Sequence, residues 1–242
     1  MSDPRISIVI PAYNEGEEII KCLDQILAAV ILPCELLVVF DRPEDTTADP
    51  ARRYAEREPR IRPVLNDIRP GPAAAILSGI RRARAPVVVV TMADGSDQPH
   101  QIEQLARLVE EGAVVAAASR YMRGGRQVGG PLIKGLVSRT AGISLYVLAR
   151  VGTHDATNSF KAYSKAFIEQ VGVESDAGFE MGIEMVAKAK RQHARVVEIP
   201  TVWLDRTAGQ SNFKVRQWIP RYLRWYLVAL LPFYRGKPPT RS

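Results

Sequence analysis

Val87-Val-Val-Val-Thr-Met-Ala-Asp94-Gly-Ser-Asp97-Gln-Pro99 is the stretch on which the fold turns. Its valines make a strand with no polar face. The acidic segment that ends the strand opens, at Pro99, into a helical pattern running to residue 111. A strand that is apolar on both faces has to be covered on both sides, as in a parallel sheet flanked by helices.

The same alternation continues in both directions. Strands are expected at 5–11, 35–40, Ile61–Leu65 and 113–118, with helices at 15–30, 48–57 and 72–84. In the first helix Ile19, Ile20, Leu23, Ile26 and Leu27 form one stripe,. Further on, helices are expected at 132–149, 178–190 and 215–231, and strands at 158–164 and 195–203. The fold class is α/β, a doubly wound, mostly parallel sheet. Gly124-Gly-Arg-Gln-Val-Gly-Gly130 reads either as a plain linker or as a mobile loop beside a site,.

Open α/β sheets bind ligands at the carboxyl ends of their strands. Here those ends carry Pro11-Ala-Tyr-Asn-Glu15, Asp41-Arg-Pro-Glu-Asp45, Ala93-Asp-Gly-Ser-Asp97 and Ser119-Arg-Tyr121. Carboxylates gathered on one rim repel one another unless a cation or a donor-rich ligand joins them. The simpler alternative is that each caps the helix that follows it.

Composition narrows the field. Of 242 residues, 46% are hydrophobic and 24% charged, which excludes disorder as the main state,. The net charge of +7 comes from 33 Lys and Arg against 26 Asp and Glu. All of that excess lies beyond residue 204, and a basic tail on a neutral body argues against a nucleic-acid docking face,. Cys22 and Cys34 are too few for a disulfide framework or a zinc cage, and the short apolar run 6–10 is no signal peptide, so a cytoplasmic setting is expected,. There is no G-x-G-x-x-G after the first strand, no phosphate-binding G-x-x-x-x-G-K-[ST], no H-E-x-x-H and no G-x-S-x-G,. His100, His154 and His193 read as surface or packing residues.

The tail sets Trp218, Tyr222, Trp225, Tyr226, Phe233 and Tyr234 beside Arg216, Arg221, Arg224 and Arg235. Its longest uncharged stretch, residues 225–234, is far short of the ~20 apolar residues a membrane span needs,. Two readings stand: a helix lying in the headgroup region, or one packed on the body or on a second copy.

Taken in order, several segments resemble one family. Val9-Ile-Pro-Ala-Tyr-Asn-Glu15, Val39-Phe-Asp-Arg-Pro-Glu-Asp-Thr-Thr47 and Arg69-Pro-Gly-Pro-Ala73 are similar to nucleotide-holding segments of the inverting family-2 glycosyltransferases of GT-A fold. The resemblance is to the dolichol- or polyprenyl-phosphate mannosyltransferase branch. Met92-Ala-Asp-Gly-Ser-Asp-Gln-Pro99 stands where the family has Asp-Ala-Asp-Leu-Gln, with Ala93 departing from the pattern. Ser119-Arg-Tyr121, Asp155-Ala-Thr-Asn-Ser-Phe-Lys-Ala-Tyr163, Gly178-Phe-Glu-Met-Gly-Ile-Glu184 and Asp205-Arg-Thr-Ala-Gly-Gln-Ser211 follow, with Asn158 and Lys161 in place of the usual Ser and Arg.

The resemblance implies inverting transfer of a hexose from a GDP- or UDP-sugar to a lipid phosphate, assisted by Mg²⁺ or Mn²⁺. Pro11, Tyr13, Glu15, Asp41, Gly71 and Asp94 would hold the donor, and Asp94 and Asp97 the metal, with the direct ligand left open between them. Arg120 and Arg206 would clamp phosphates, while Asp155 and Glu184 orient the sugar or the arginines; for a hydroxyl acceptor, Asp155 is the first candidate base,. Arg139, Ser211, Lys214, Arg221 and Arg224 would face the acceptor or anionic headgroups. Residues 1–214 would then be the transferase domain and 215–242 a membrane-associating tail, at the inner face of the membrane, with a homodimer open. The alternatives are transfer to a saccharide or small-molecule hydroxyl, or nucleotide-sugar binding without turnover.

Overall fold

β1 (Ile6–Pro11), β2 (Cys34–Phe40) and β4 (Val87–Val90) are buried along their whole lengths; they are apolar but for Ser7 and Glu35, where the Ser7 hydroxyl donates to the Glu35 carboxylate at 2.6 Å. The computed structural model describes residues 3–176, 178–205 and 215–231. β3 (Ile61–Leu65), β5 (Val115–Ser119), β7 (Lys161–Ser164) and β8 (Val196–Pro200) complete a seven-stranded sheet in the order β3-β2-β1-β4-β7-β5-β8. Every pairing in it is parallel except those of β7, which runs antiparallel to β4 and to β5.

Alternate residues feed two cores. Ile6, Ile8, Ile10, Leu36 and Val38 join the layer of α1 (Glu18–Ala29) and α4 (Ile102–Glu110), while Val9, Leu37 and Val39 face α3 (Pro72–Arg82). α3 lies close on the sheet because its inner face is small. A Cβ at Gly79 would come within 2.5 Å of the Val9 side chain. α2 (Ala48–Ala55) covers the β3 edge.

The second half departs from the expected pattern in three places. The glycine-rich stretch holds a three-residue strand, β6 (Arg126–Val128), which pairs with β9 (Val202–Leu204) in a separate small sheet. The single strand expected over 195–203 is therefore two, the chain passing from one sheet to the other at Thr201. The helix expected at 132–149 is α5 (Leu132–Ser144) followed by a π-turn (Leu145–Ala149), ended by Arg150 in the left-handed region at φ 53°. An additional helix, α6 (Lys165–Val171), starts where the Ser164 hydroxyl accepts from the Phe167 N–H,.

α7 (Met181–Arg191) and α8 (Val215–Leu230) pack on each other. Trp225, Val228 and Ala229 of α8 belong to the same core cluster as α3 and α7, and Arg191 donates to the carbonyls of Val228 and Leu231. The helix expected at 215–231 is thus docked on the body, the second of its two readings. The proposed domain boundary, between residues 214 and 215, lies at the edge of a segment, 206–214, outside those described. Trp225 is 3% exposed, so Trp225→Ala should cost about 3–5 kcal/mol of unfolding free energy in urea titration,. An unchanged midpoint would mean that α8 is a detached appendage.

Candidate active site

The strand order reverses between β1 and β4, and the rim beyond their carboxyl ends is the crevice such sheets offer to ligands,. On its β2 side two short loops are tied together. Asp45 accepts from the Asn14 N–H at 3.1 Å and the Thr47 N–H at 2.9 Å, and the Thr47 hydroxyl accepts from the Glu15 N–H at 3.1 Å. Asn14 holds φ at 54°, which turns the chain away from β1 and delays α1 to Glu18 rather than 15. Tyr13 is left 60% exposed on this rim, an open ring face. Asp41 accepts from the Asn66 amide at 2.8 Å and the Gly71 N–H at 2.7 Å, fixing the loop that leads into α3. Pro11 is buried at the end of β1, and Gly71, at φ 123°, starts α3.

After β4 the two candidate metal carboxylates part company. Asp94 is half-buried, with Oδ1 accepting from the Ser96 N–H at 3.0 Å. Asp97 is buried, its Oδ2 accepting from the Thr91 hydroxyl at 3.0 Å and the Met92 N–H at 3.1 Å. Burial, with Asp94 adding to it, pushes Asp97 up to about 7. Asp94 is therefore the accessible one. Among the described residues no three His, Cys, Asp or Glu converge as a metal cage. A divalent ion fits here only in the manner of Mg²⁺, on one or two carboxylates with the remaining ligands coming from substrate phosphate and water.

The antiparallel β7 completes the rim. Because it runs against its neighbours, the segment before it, residues 155–160, arrives at the carboxyl ends of β4 and β5. There Asp155, wholly buried, meets Arg120 from the end of β5. Nε donates to Oδ2 at 2.7 Å and Nη2 to Oδ1 at 3.0 Å, a bidentate fork,. Asp155 also accepts from the Arg120 N–H, the Thr157 hydroxyl and the Asn158 N–H. Burial works against the charge of Asp155, but Arg120 and these donors hold it below the usual carboxylate range. Such a group is a holder of Arg120 and a poor proton acceptor. The Arg120 plane also lies 4.9 Å from the Tyr121 ring centroid.

Ser138 of α5 links this pair to the helix above. Its hydroxyl accepts from Tyr121 at 3.0 Å, lies 2.6 Å from the Thr157 hydroxyl and accepts from Arg120 at 3.3 Å. Arg139 beside it is exposed.

Other residues expected at the site lie elsewhere. Glu184 is buried on α7, accepting from the Glu174 and Ser175 N–H groups, the Ser175 hydroxyl and, at 2.7 Å, the Lys188 ammonium. It anchors the 174–175 segment. Arg221 and Arg224 do not turn outward to headgroups; they pair with Asp176 at 3.0 Å and Glu174 at 2.6 Å, since the acids of that segment lie against α8. Arg206, Ser211 and Lys214 fall outside the described residues. Sequence reading passed over Ser138, Thr157 and the clamping role of Asp45; only Asp45 and Thr157 lay in segments whose pattern marked them.

Residues 7–172 match the family described as Glycosyl transferase family 2. The chain belongs to that family. It is a glycosyltransferase. It is 31% identical to a polyprenol monophosphomannose synthase of Mycolicibacterium smegmatis, over 96% of this chain and 91% of that protein. It is 28% identical to an undecaprenyl-phosphate mannosyltransferase of Micrococcus luteus, over 93% and 95%. It is 30% identical to a dolichol-phosphate mannosyltransferase of Pyrococcus furiosus, matching 91% of this chain but only 62% of that longer protein. The fold matches glucosyl-3-phosphoglycerate synthase of Mycobacterium tuberculosis, solved with Mn²⁺ and UDP, at TM-score 0.70 and 18% identity over 95% of this chain and 80% of that one. It also matches a Pyrobaculum calidifontis mannosyltransferase, solved with GDP-Man and Mn²⁺, at 0.65 and 20%, over 99% and 67%.

The raised Asp97 has a consequence for stability. Between the ordinary Asp value near 4 and about 7 the folded state holds a proton that the unfolded state has released, so this residue's contribution falls as pH rises through that window,. In metal-free protein, Asp97→Asn should flatten the decline in unfolding free energy between pH 4 and 7. A decline as steep as in wild type would show that Asp97 titrates normally.

Proposed function

We propose that this glycosyltransferase moves a hexose from a GDP- or UDP-sugar to a polyprenyl-phosphate-type lipid, with inversion. The observation that carries the reading is the state of Asp155. A hydroxyl acceptor needs a carboxylate to take its proton, and the carboxylate beside Arg120 is already saturated with donors,. A phosphate monoester arrives ionised and needs only to be positioned against the anomeric carbon. Arg120, held by Asp155, offers it a fixed cation. The names of the three curated relatives support the same acceptor class.

The donor would lie along the opposite half of the rim, its base against Tyr13 and near Asp41, its diphosphate toward Asp94. Mg²⁺ or Mn²⁺ held at Asp94, with Asp97 behind it, would neutralise charge on the departing diphosphate.

Access to a lipid is supported by exposed apolar residues on neighbouring elements. Leu136 and Val137 of α5, Val147 and Leu148 of the π-turn, and Ile219 and Leu223 of α8 are each about half exposed or more. α8 touches the π-turn, and the Tyr226 and Ser144 hydroxyls are 3.0 Å apart. No helix among the described residues is long and apolar enough to cross a membrane. Peripheral attachment at the inner face would thus rest on apolar contact, with Arg139 adding charge.

Labelled GDP-mannose and UDP-glucose, each offered with polyprenyl phosphate or with free glycans, test this reading. Sugar should appear on the lipid phosphate, and Asp94→Asn should slow transfer about 10²–10³-fold, the several kcal/mol a catalytic metal supplies. Transfer to glycan hydroxyls alone would overturn the acceptor assignment.

A further inference from the structure

Lys161 opens β7 between Val90 of β4 and Ala117 of β5, and its side chain has no exposed surface. Lysines are almost never wholly buried unless paired. Yet its ammonium contacts no carboxylate among the described residues. It donates instead to two backbone carbonyls, Ala156 at 3.3 Å and Asn158 at a shorter distance. Both belong to the turn that carries Asp155.

That turn is bonded on two sides. Outward, the Asp155 carboxylate takes the Asn158 N–H and the Arg120 fork, and the Asn158 amide donates to the Ala118 carbonyl at 2.8 Å. Inward, the carbonyls of Ala156 and Asn158 converge on Lys161. The turn can lie this close to α7 because residue 182 is glycine: a Cβ there would come within 2.9 Å of the Asn158 carbonyl, one of the two that hold the ammonium. Desolvation drives the ammonium down to about 7, with Asp155 opposing it. An apolar side chain of the same length would fill this space without that cost, so packing alone does not account for a lysine here.

We propose that Lys161 is a positioning residue of the transferase site: from beneath the 155–158 turn it fixes Asp155, and through Asp155 the direction in which Arg120 presents its guanidinium. This rests on the reading above, in which Arg120 faces the phosphate. Without the ammonium, two buried carbonyls lose their donor, and the turn must move to recover one. The movement passes to the Arg120 guanidinium through its fork onto Asp155. The nucleotide loops at Asp41 and Asp45 share none of these contacts.

The experiment compares wild type, Lys161→Met, Arg120→Lys and the double variant, with GDP and UDP, each with Mn²⁺, as binding probes. Lys161→Met should lower kcat roughly 10–100-fold, the scale of a misplaced catalytic group, while nucleoside diphosphate affinity stays within about twofold. Combined with Arg120→Lys it should add little, because both changes spoil one interaction. Lys161→Arg, which keeps the charge, should recover part of the loss. Should Lys161→Met fail to fold, Gly182→Ala disturbs the same turn from the α7 side and should show the same non-additivity. A folded variant with undiminished kcat, or rate losses that multiply with those of Arg120→Lys, would overturn the proposal. The Arg120 Nε–H resonance gives a readout independent of the acceptor. It should shift in Lys161→Met even if no lipid phosphate proves to be a substrate, which separates failure of this inference from failure of the proposed function.

Discussion

A fully buried carboxylate is tolerable only when its charge is answered on the spot, and the Asp155–Arg120 pair is where this fold meets that demand,. The pair exists because β7 runs against its neighbours. A parallel strand in that slot would deliver its preceding loop to the opposite edge of the sheet, leaving Arg120 at the end of β5 with no buried partner. The one antiparallel strand is thus the topological device that brings the 155–158 turn, the ends of β4 and β5, and helix α5 to a common point. Ser138 and Tyr121 extend the network into α5, so the helix bearing exposed Leu136 and Val137 is hydrogen-bonded to Arg120, the arginine proposed to meet the acceptor phosphate.

The two halves of the rim follow different physical rules. On the half proposed for the donor, Asp45 accepts from backbone N–H groups and Asp41 from the Gly71 N–H and the Asn66 amide, and so they shape loops, leaving Tyr13 exposed and Asp94 half-buried at the rim. On the half proposed for the acceptor, Asp155 and Arg120 are locked as a pair. A site built this way binds and aligns anions with little reorganisation, and that suits a reaction in which charge moves from one phosphate group to another across an anomeric carbon.

The strands β1 to β5 and helices α1 to α4 were legible because their periodicity is strong and local: four valines in β4 admit little else. What escaped was set by partners distant in sequence. Nothing local in residues 161–164 distinguishes antiparallel from parallel pairing. β6 is too short to show alternation inside a glycine-rich run. α6 did carry a signal, the Ser164 cap, inside what read as strand. Arg221 and Arg224 looked like headgroup ligands because the acids that neutralise them, Asp176 and Glu174, lie about 45–50 residues away in a loop. Of the site, the acidic segments and Arg120 could be read from motif order. That Asp97 is buried while Asp94 is accessible, and that Asp155 is engaged rather than basic, are properties of packing.

In the proposed reaction the acceptor brings its own negative charge and the protein supplies no base. The most direct measurement is the pH dependence of kcat/KM for two lipid acceptors whose phosphate groups differ in second ionisation constant, near 6 for an ordinary monoester and lower for an electron-poor analogue. The inflection should move with the acceptor. An inflection that stays at one pH for both would reveal a titrating protein group in the transfer step and contradict the account.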